Sequence, residues 1–282
     1  MTRPTTRLEQ PEPVLTPIEW SFPAPPVERE LLEVLPEQPT GKPPILFVHG
    51  LSHGAWCWRE HWMPAAAADG WRTYAVSLRG HGASAGREHL DRTLLRHYVH
   101  DVLQAITELP EPPVLVGHSM GGLVVQHVLE RYAARAGVLV APASAFHGLG
   151  SLGLLLRHRP RQVLRALAGR TLELDRELLF SDDLDEATAQ RYVDRLGPEG
   201  ALVQHQLVLP RRPRPSKAPV LVIGAGDDRM VPVIDVVRTA RHYGTRAHVF
   251  RGMAHDMMLE PDWKAPLELV LRWLEDTVGR DR

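Results

Sequence analysis

The residues best placed for chemistry stand at Gly117-His118-Ser119-Met120-Gly121, a G-x-S-x-G pattern. A serine hydroxyl is a weak nucleophile until a neighbouring base takes its proton. Glycines on either side of Ser119 let a strand and a helix approach each other through a sharp turn. The run VLVG enters the pattern and GGLVVQHVLERYAARA leaves it, so a buried strand and a helix frame the serine. Ser119 then stands at a helix N-terminus, where unpaired N–H groups and the helix dipole favour negative charge. The Met120 N–H is one candidate donor to an oxyanion. The second is the Leu51 N–H, in the turn His49-Gly50-Leu51, where Gly50 lets the backbone swing toward the serine. His49 either orients this turn or caps a strand end.

A base and an orienting carboxylate must complete such a site. The chain has 15 histidines, so position must select among them. His255, in RGMAHDMM, follows the last strand-like run. Asp227 and Asp228, in GAGDDRMVP, follow the preceding one. The residues after the run GVLVA, PASAFHGLG, contain no acid. Between Asp227 and Asp228 the local pattern leaves the choice open. Serine, histidine and aspartate in these roles suit acyl transfer in two halves, with a covalent intermediate that water releases.

The elements that must hold these residues follow from periodicity. Short continuous apolar runs occur at Pro44–His49, Thr73–Leu78, Val114–Gly117, Gly137–Ala141, Val220–Gly224 and Ala247–Phe250. They read as strands buried on both faces. Helical patterns lie between or after them at Trp56–Asp69, Thr93–Leu109, Gly121–Ala134, Ile234–Tyr243 and Pro266–Val278. The alternation predicts an α/β fold: a mostly parallel twisted sheet with helices on both faces. A weak alternation at Arg29–Leu35 suggests a first edge strand. The alternation breaks between Phe146 and Arg214, where helix-like stretches at Leu152–Leu156, Gln162–Ala168 and Asp185–Leu196 end in the linker-like PRRPRPSKAP. This gives three parts: an extended arm over 1–28, a core over 29–145 and 215–282, and a helical cap inserted over 146–214. Ligands bind at the carboxyl ends of such strands, so a cap starting there is placed as a lid.

FVHG, LRGHGAS, VGHSMGG, GAGDDRMVP and GMAHDMM occur in the order in which the α/β-hydrolase superfamily carries its motifs. From Ile45 to about Met258 the chain resembles that superfamily. The resemblance implies the α/β-hydrolase fold and a Ser-Asp-His triad in that chain order. Its acid lies in D-x-x-V-P, which selects Asp228 of DRMVP over Asp227. The triad is then Ser119, Asp228 and His255, with Leu51 and Met120 as the oxyanion donors. In R-G-H-G-x-S, here Arg79–Ser84, the resemblance implies a structural turn, so His81 and Ser84 stay outside the catalytic set. HGAWCW resembles the plant methylesterase and hydroxynitrile lyase branch. Epoxide hydrolases and dehalogenases differ, carrying Asp where Ser119 stands. Ring-cleavage C–C hydrolases commonly have Trp where Asp256 follows His255, and cofactor-free perhydrolases differ in the elbow residues. The expected reaction is carboxylic ester hydrolysis, esterase-like or lipase-like. The alternatives are hydrolysis of a C–C, thioester or lactone bond with the same triad, or a binding protein without turnover.

Composition narrows the partners. A formal net charge of -1 gives no bulk positive charge to steer the chain to nucleic acid or an anionic membrane. No apolar stretch is long enough for a membrane span, and the N-terminus lacks a signal-peptide core, so a cytoplasmic location is expected. Cys57 is the sole cysteine and no internal disulfide can form. Trp56 and Trp58 read as core. Scattered histidines and no thiolate pair give no metal constellation, and no cofactor is implied. The expected partner is a small ester with an apolar acyl group, given the leucines at 149, 152, 154, 155 and 156. Oligomeric state stays open.

Overall fold

The computed structural model describes residues 15 and 17–278. The early part of the expected N-terminal arm, 1–14 with residue 16, lies outside the described residues. The chain runs α1 (Pro17–Ser21), β1 (Leu31–Val34), β2 (Ile45–Val48), α2 (Trp56–Arg59), α3 (Trp62–Ala68), β3 (Thr73–Val76), a 3-10 turn (Arg87–Arg92), α4 (Leu95–Thr107), β4 (Val114–His118) and α5 (Met120–Leu129). It continues with β5 (Ala136–Val140), then α6 (Leu149–His158), α7 (Pro160–Leu167), α8 (Arg176–Leu179), α9 (Glu186–Val193) and α10 (Ala201–Val208). It closes with β6 (Val220–Ala225), α11 (Val233–His242), β7 (Ala247–Phe250) and α12 (Lys264–Val278).

The strands form one sheet in the order β1-β3-β2-β4-β5-β6-β7. β1 pairs antiparallel with β3, and all other pairs are parallel. β2, β3, β4, β5 and β6 are buried at every position, as their unbroken apolar runs require. β7, at the edge, is exposed at its two middle residues and half-buried at its ends. The loops leaving the carboxyl ends of β2, β4, β6 and β7 therefore converge on one rim.

Two local readings need correction. The single helix expected over Trp56–Asp69 is two helices, α2 and α3. Pro64 has no N–H to give the Glu60 carbonyl, and its ring crowds that carbonyl, so a continuous helix cannot pass through the site. The segment between β5 and β6 carries five helices where three were expected. α8 is a single turn capped by Asp175, whose side chain accepts from Leu178 N, too short to leave a period. α10, ALVQHQLV, has no apolar stripe of helical period. No strand is described in this segment.

β4 and α5 meet at a bend that only small residues allow. A Cβ on Gly117 would collide with the Gly121 carbonyl, and one on Gly121 with the carbonyls of Val48 and His49. Gly121 thus lets α5 start directly against the end of β2. Gly121→Ala is expected to lower the unfolding free energy by about 3 kcal/mol in chemical denaturation. Gly153→Ala, at an exposed position of α6 where a Cβ meets nothing within 4 Å, is expected to leave stability unchanged or raise it by up to about 1 kcal/mol.

Candidate active site

Ser119 occupies the bend between β4 and α5 with φ 53° and ψ -120°. A non-glycine residue at positive φ is strained, and here the surroundings enforce it. Ser119 N donates to Val140 O at 3.0 Å, and Ser119 O accepts from Ala143 N at 2.9 Å. The bend lifts the hydroxyl off the sheet edge toward the loop after β7.

That loop brings His255 against it. Ser119 Oγ lies 2.9 Å from His255 Nε2, and His255 Nδ1 lies 2.7 Å from Asp228 Oδ2. A carboxylate can only accept, so Nδ1 carries the ring proton and Nε2 is the acceptor for the serine hydroxyl. Asp228 is fixed through its other oxygen, which accepts from Met230 N at 2.7 Å and Val231 N at 2.8 Å. All three side chains are buried. Burial alone would push the His255 pKa down, but the charge of Asp228 and its hydrogen bond outweigh this and hold it above the ordinary value. Asp227 points to solvent, and its N–H donates to Met253 O at 2.9 Å.

Of the two expected oxyanion donors, the Leu51 N–H belongs to the turn after β2 and the Met120 N–H to the first residue of α5. His49 fixes the first of them. Its Nε2 accepts from Leu78 N at 2.9 Å, which leaves the proton on Nδ1 to be donated to Gly50 O at 2.8 Å. In a trans peptide the carbonyl and the following N–H point opposite ways. Holding Gly50 O therefore aims Leu51 N–H. Burial, then the neighbouring His81, keep His49 neutral by lowering its pKa far below the ordinary value.

Four further residues, to which sequence patterns gave no role, brace this turn: His53, Asp256, Glu199 and Gly197. His53 Nδ1 lies 2.7 Å from Leu51 O and its Nε2 2.9 Å from Asp256 Oδ2. Both partners accept, so both ring nitrogens carry protons. Burial opposes that charge, but Asp256 reverses the balance and raises the His53 pKa. In turn, burial would raise Asp256, but His53 outweighs it and lowers the carboxyl pKa. Ser52, at φ 62°, is held at both ends of its backbone by the segment between β5 and β6. Its N–H donates to Glu199 Oε2 at 3.3 Å, and its carbonyl accepts from Gly197 N at 2.7 Å. Glu199 also accepts from Tyr98 Oη at 2.6 Å and faces His81 Nε2 at 3.2 Å. Burial would raise the Glu199 pKa, but His81 and Tyr98 together bring it below the ordinary value. No short motif carries Glu199, because its partners lie on three distant stretches of chain.

The imidazole of His118 packs on that of His255, with ring centroids 4.7 Å apart, and its Nε2 lies 3.0 Å from His255 O. Burial, then the neighbouring His255, lower its pKa to about 3. Donor atoms of His118, His255 and Asp256 lie within 4.8 Å of one another. The histidines that looked scattered in sequence thus gather here. Both His255 nitrogens are engaged by Asp228 and Ser119, His118 contacts the His255 carbonyl, and Asp256 bonds His53. Trp58 is buried, whereas Trp56 is half-buried, stacked between His53 and Tyr192 with Arg195 over its ring. Cys57 is buried, and burial pushes its thiol pKa well up, away from nucleophilic use.

Ser119 opens into a cavity of about 120 Å³. Leu51, Met230 and Val231 line one side, and Leu152, Leu155 and Val163 from α6 and α7 line the other. The polar groups on the wall are few, among them Ser144, Ser151 and Gln204.

A family model described as "Alpha/beta hydrolase family" matches residues 45–267. Methylesterase 3 of Arabidopsis thaliana is 37% identical over 98 residues, 34% of this chain and 37% of that protein. The chain thus matches about a third of the length of that plant relative. A monoacylglycerol lipase of Mycolicibacterium smegmatis is 27% identical over 248 residues, 82% of this chain and 87% of that one. Among solved structures, the monoacylglycerol lipase of Paleococcus ferrophilus superposes with a TM-score of 0.67 at 22% identity, covering 89% of this chain and 99% of its own.

Glu199→Ala removes a buried carboxylate that braces Ser52 and Tyr98. It is expected to cost about 3 kcal/mol of unfolding free energy in chemical denaturation. Glu199→Gln, which keeps the shape and an accepting oxygen, is expected to cost less.

Proposed function

Because the chain belongs to the alpha/beta hydrolase family, we propose that it hydrolyses carboxylic esters of small molecules with an apolar acyl group. Ser119 is the nucleophile, His255 the general base and then acid, and Asp228 the carboxylate that orients the imidazole. One observation carries the reading: the unbroken relay from Ser119 Oγ through His255 to Asp228, at 2.9 and 2.7 Å, opening into an apolar cavity. Ser119 Oγ attacks the ester carbonyl as His255 Nε2 takes its proton. The carbonyl oxygen becomes an oxyanion between the Leu51 and Met120 N–H groups. The imidazolium, steadied by Asp228, protonates the departing alcohol. Water enters, loses a proton to His255 and attacks the acyl-enzyme; the bond to Ser119 Oγ breaks, the imidazolium returns the proton to Oγ, and the acid leaves. In this reading the segment 146–214 is a cap, since α6 and α7 supply one wall of the acyl cavity. The named relatives, a methylesterase and monoacylglycerol lipases, support an ester as the bond cleaved.

A fluorophosphonate probe is expected to label the protein once, at Ser119, as read by mass spectrometry. Hydrolysis of p-nitrophenyl esters is expected to fall about 10⁶-fold in Ser119→Ala. An unlabelled Ser119 in the folded protein sinks the proposal.

The pH dependence follows from His255. Its base form is the neutral one, and its pKa stands above the ordinary 6.5 because Asp228 outweighs burial. Activity is therefore expected to be full at alkaline pH and to fall as pH drops through a midpoint above about 6.5. Asp228→Asn removes the opposing charge. It is expected to move that midpoint to lower pH and to cut kcat by about 10⁴.

A further inference from the structure

The net charge of the whole chain hides a strong local segregation. Residues 146–172, which form the helix pair α6 and α7 and the turns around it, hold five arginines and no aspartate or glutamate. Arg159 pairs with Asp175 and Glu177. Arg157, Arg161, Arg165 and Arg170 are exposed, and among the described residues no carboxylate lies within ion-pair distance of them. The same two helices carry exposed leucines: Leu164 63%, Leu167 59%, Leu149 57% and Leu156 41%.

The order of these residues around each helix is what gives the pattern meaning. On α6, Leu152 and Leu155 face the cavity beside Ser119. Leu149 and Leu156, seven residues apart, fall on a neighbouring stripe. On α7, Val163, Ala166 and Leu167 line the cavity, Leu164 borders them, and Arg161 and Arg165 lie one step further round. From cavity outward each residue class follows the next: cavity wall, exposed leucine, exposed arginine. Exposed apolar residues flanked by cations are the composition of a helix that lies in the boundary between water and an anionic lipid layer. Each arginine near such a surface adds about fivefold to binding, and the leucines enter the acyl boundary.

We propose that the outer face of α6 and α7 docks on an anionic lipid surface, placing the mouth of the Ser119 cavity against it. A second copy of the chain is a poor occupant, because a two-fold contact would set this arginine-rich face against itself. Nucleic acid would use the arginines and leave the leucines in water. The placement of the mouth gives the docking its use under the hydrolase reading, and in that respect it rests on that reading. The docking itself does not, and the two are measured apart.

Co-sedimentation with phosphatidylglycerol vesicles is the test, with pure phosphatidylcholine vesicles as the comparison. The protein is expected to bind the anionic vesicles at least about tenfold more tightly, and to be released by high salt. Arg161→Glu with Arg165→Glu is expected to weaken binding at least about tenfold. Leu149→Ser with Leu156→Ser and Leu164→Ser is expected to weaken it as well, even at low salt. None of these residues lines the cavity. Both variants are therefore expected to keep the wild-type unfolding midpoint and, if the hydrolase reading holds, turnover of soluble p-nitrophenyl acetate within about twofold. Vesicle binding that is absent, or that survives both sets of substitutions, overturns the proposal. So does a wild-type dimer in sedimentation velocity that the leucine variant abolishes. Failure of fluorophosphonate labelling overturns the hydrolase reading and leaves the binding result standing.

Discussion

The close approach of α5 to the end of β2 is the constraint from which the site is built. Gly117 and Gly121 have no side chains because backbone occupies the space a Cβ would need. This packing forces Ser119 into its positive-φ bend and sets the N-terminus of α5 under the serine. If the helix stood further out, Ser119 could relax, and the Met120 N–H would leave the region of its hydroxyl. The parallel sheet pays for this strain: β2, β4 and β5 are buried at every position and anchor both sides of the bend.

Around that bend the turn at Gly50 is held by buried polar groups from well-separated parts of the chain. His49 binds the Gly50 carbonyl, His53 with Asp256 binds the Leu51 carbonyl, and Glu199 with Gly197 binds both ends of Ser52. Each carries a desolvation cost and each is matched by a partner. The physical consequence is a loop with little freedom to turn its peptides. The segment between β5 and β6 therefore does two things at once. Its α6 and α7 line the cavity, and its Gly197 and Glu199 brace the turn at Ser52.

The residues proposed to act were legible in the sequence because each sits at a strand's carboxyl end, next to a recognisable apolar run. Ser119 follows VLVG, Asp228 follows VLVIGA and His255 follows AHVF with its turn. A parallel sheet aligns those ends, so order along the chain maps onto nearness in space. Helix boundaries were less legible where a single residue governs them, as Pro64 does between α2 and α3. α10 escaped notice because its apolar residues surround the helix and leave no period to read.

By itself, the sequence determined the sheet, the bend at Ser119 and the strand ends from which a base and an acid could come, since these depend on local period and on glycines at fixed spacing. Its own pattern left Asp227 and Asp228 open. The tertiary structure turns Asp228 inward, where Met230 and Val231 N–H groups take one oxygen and His255 the other, and leaves Asp227 in solvent. Only the tertiary structure brings Glu199 to Ser52, 147 residues away, and Asp256 to His53, 203 residues away. No periodicity encodes such pairs, because their partners meet through the packing of separate loops. The arginines of α6, α7 and the turns around them are different: they stand close together along the chain, and the structure adds that four of them are exposed. A net charge summed over the whole chain hides such a local run, because acids elsewhere cancel it.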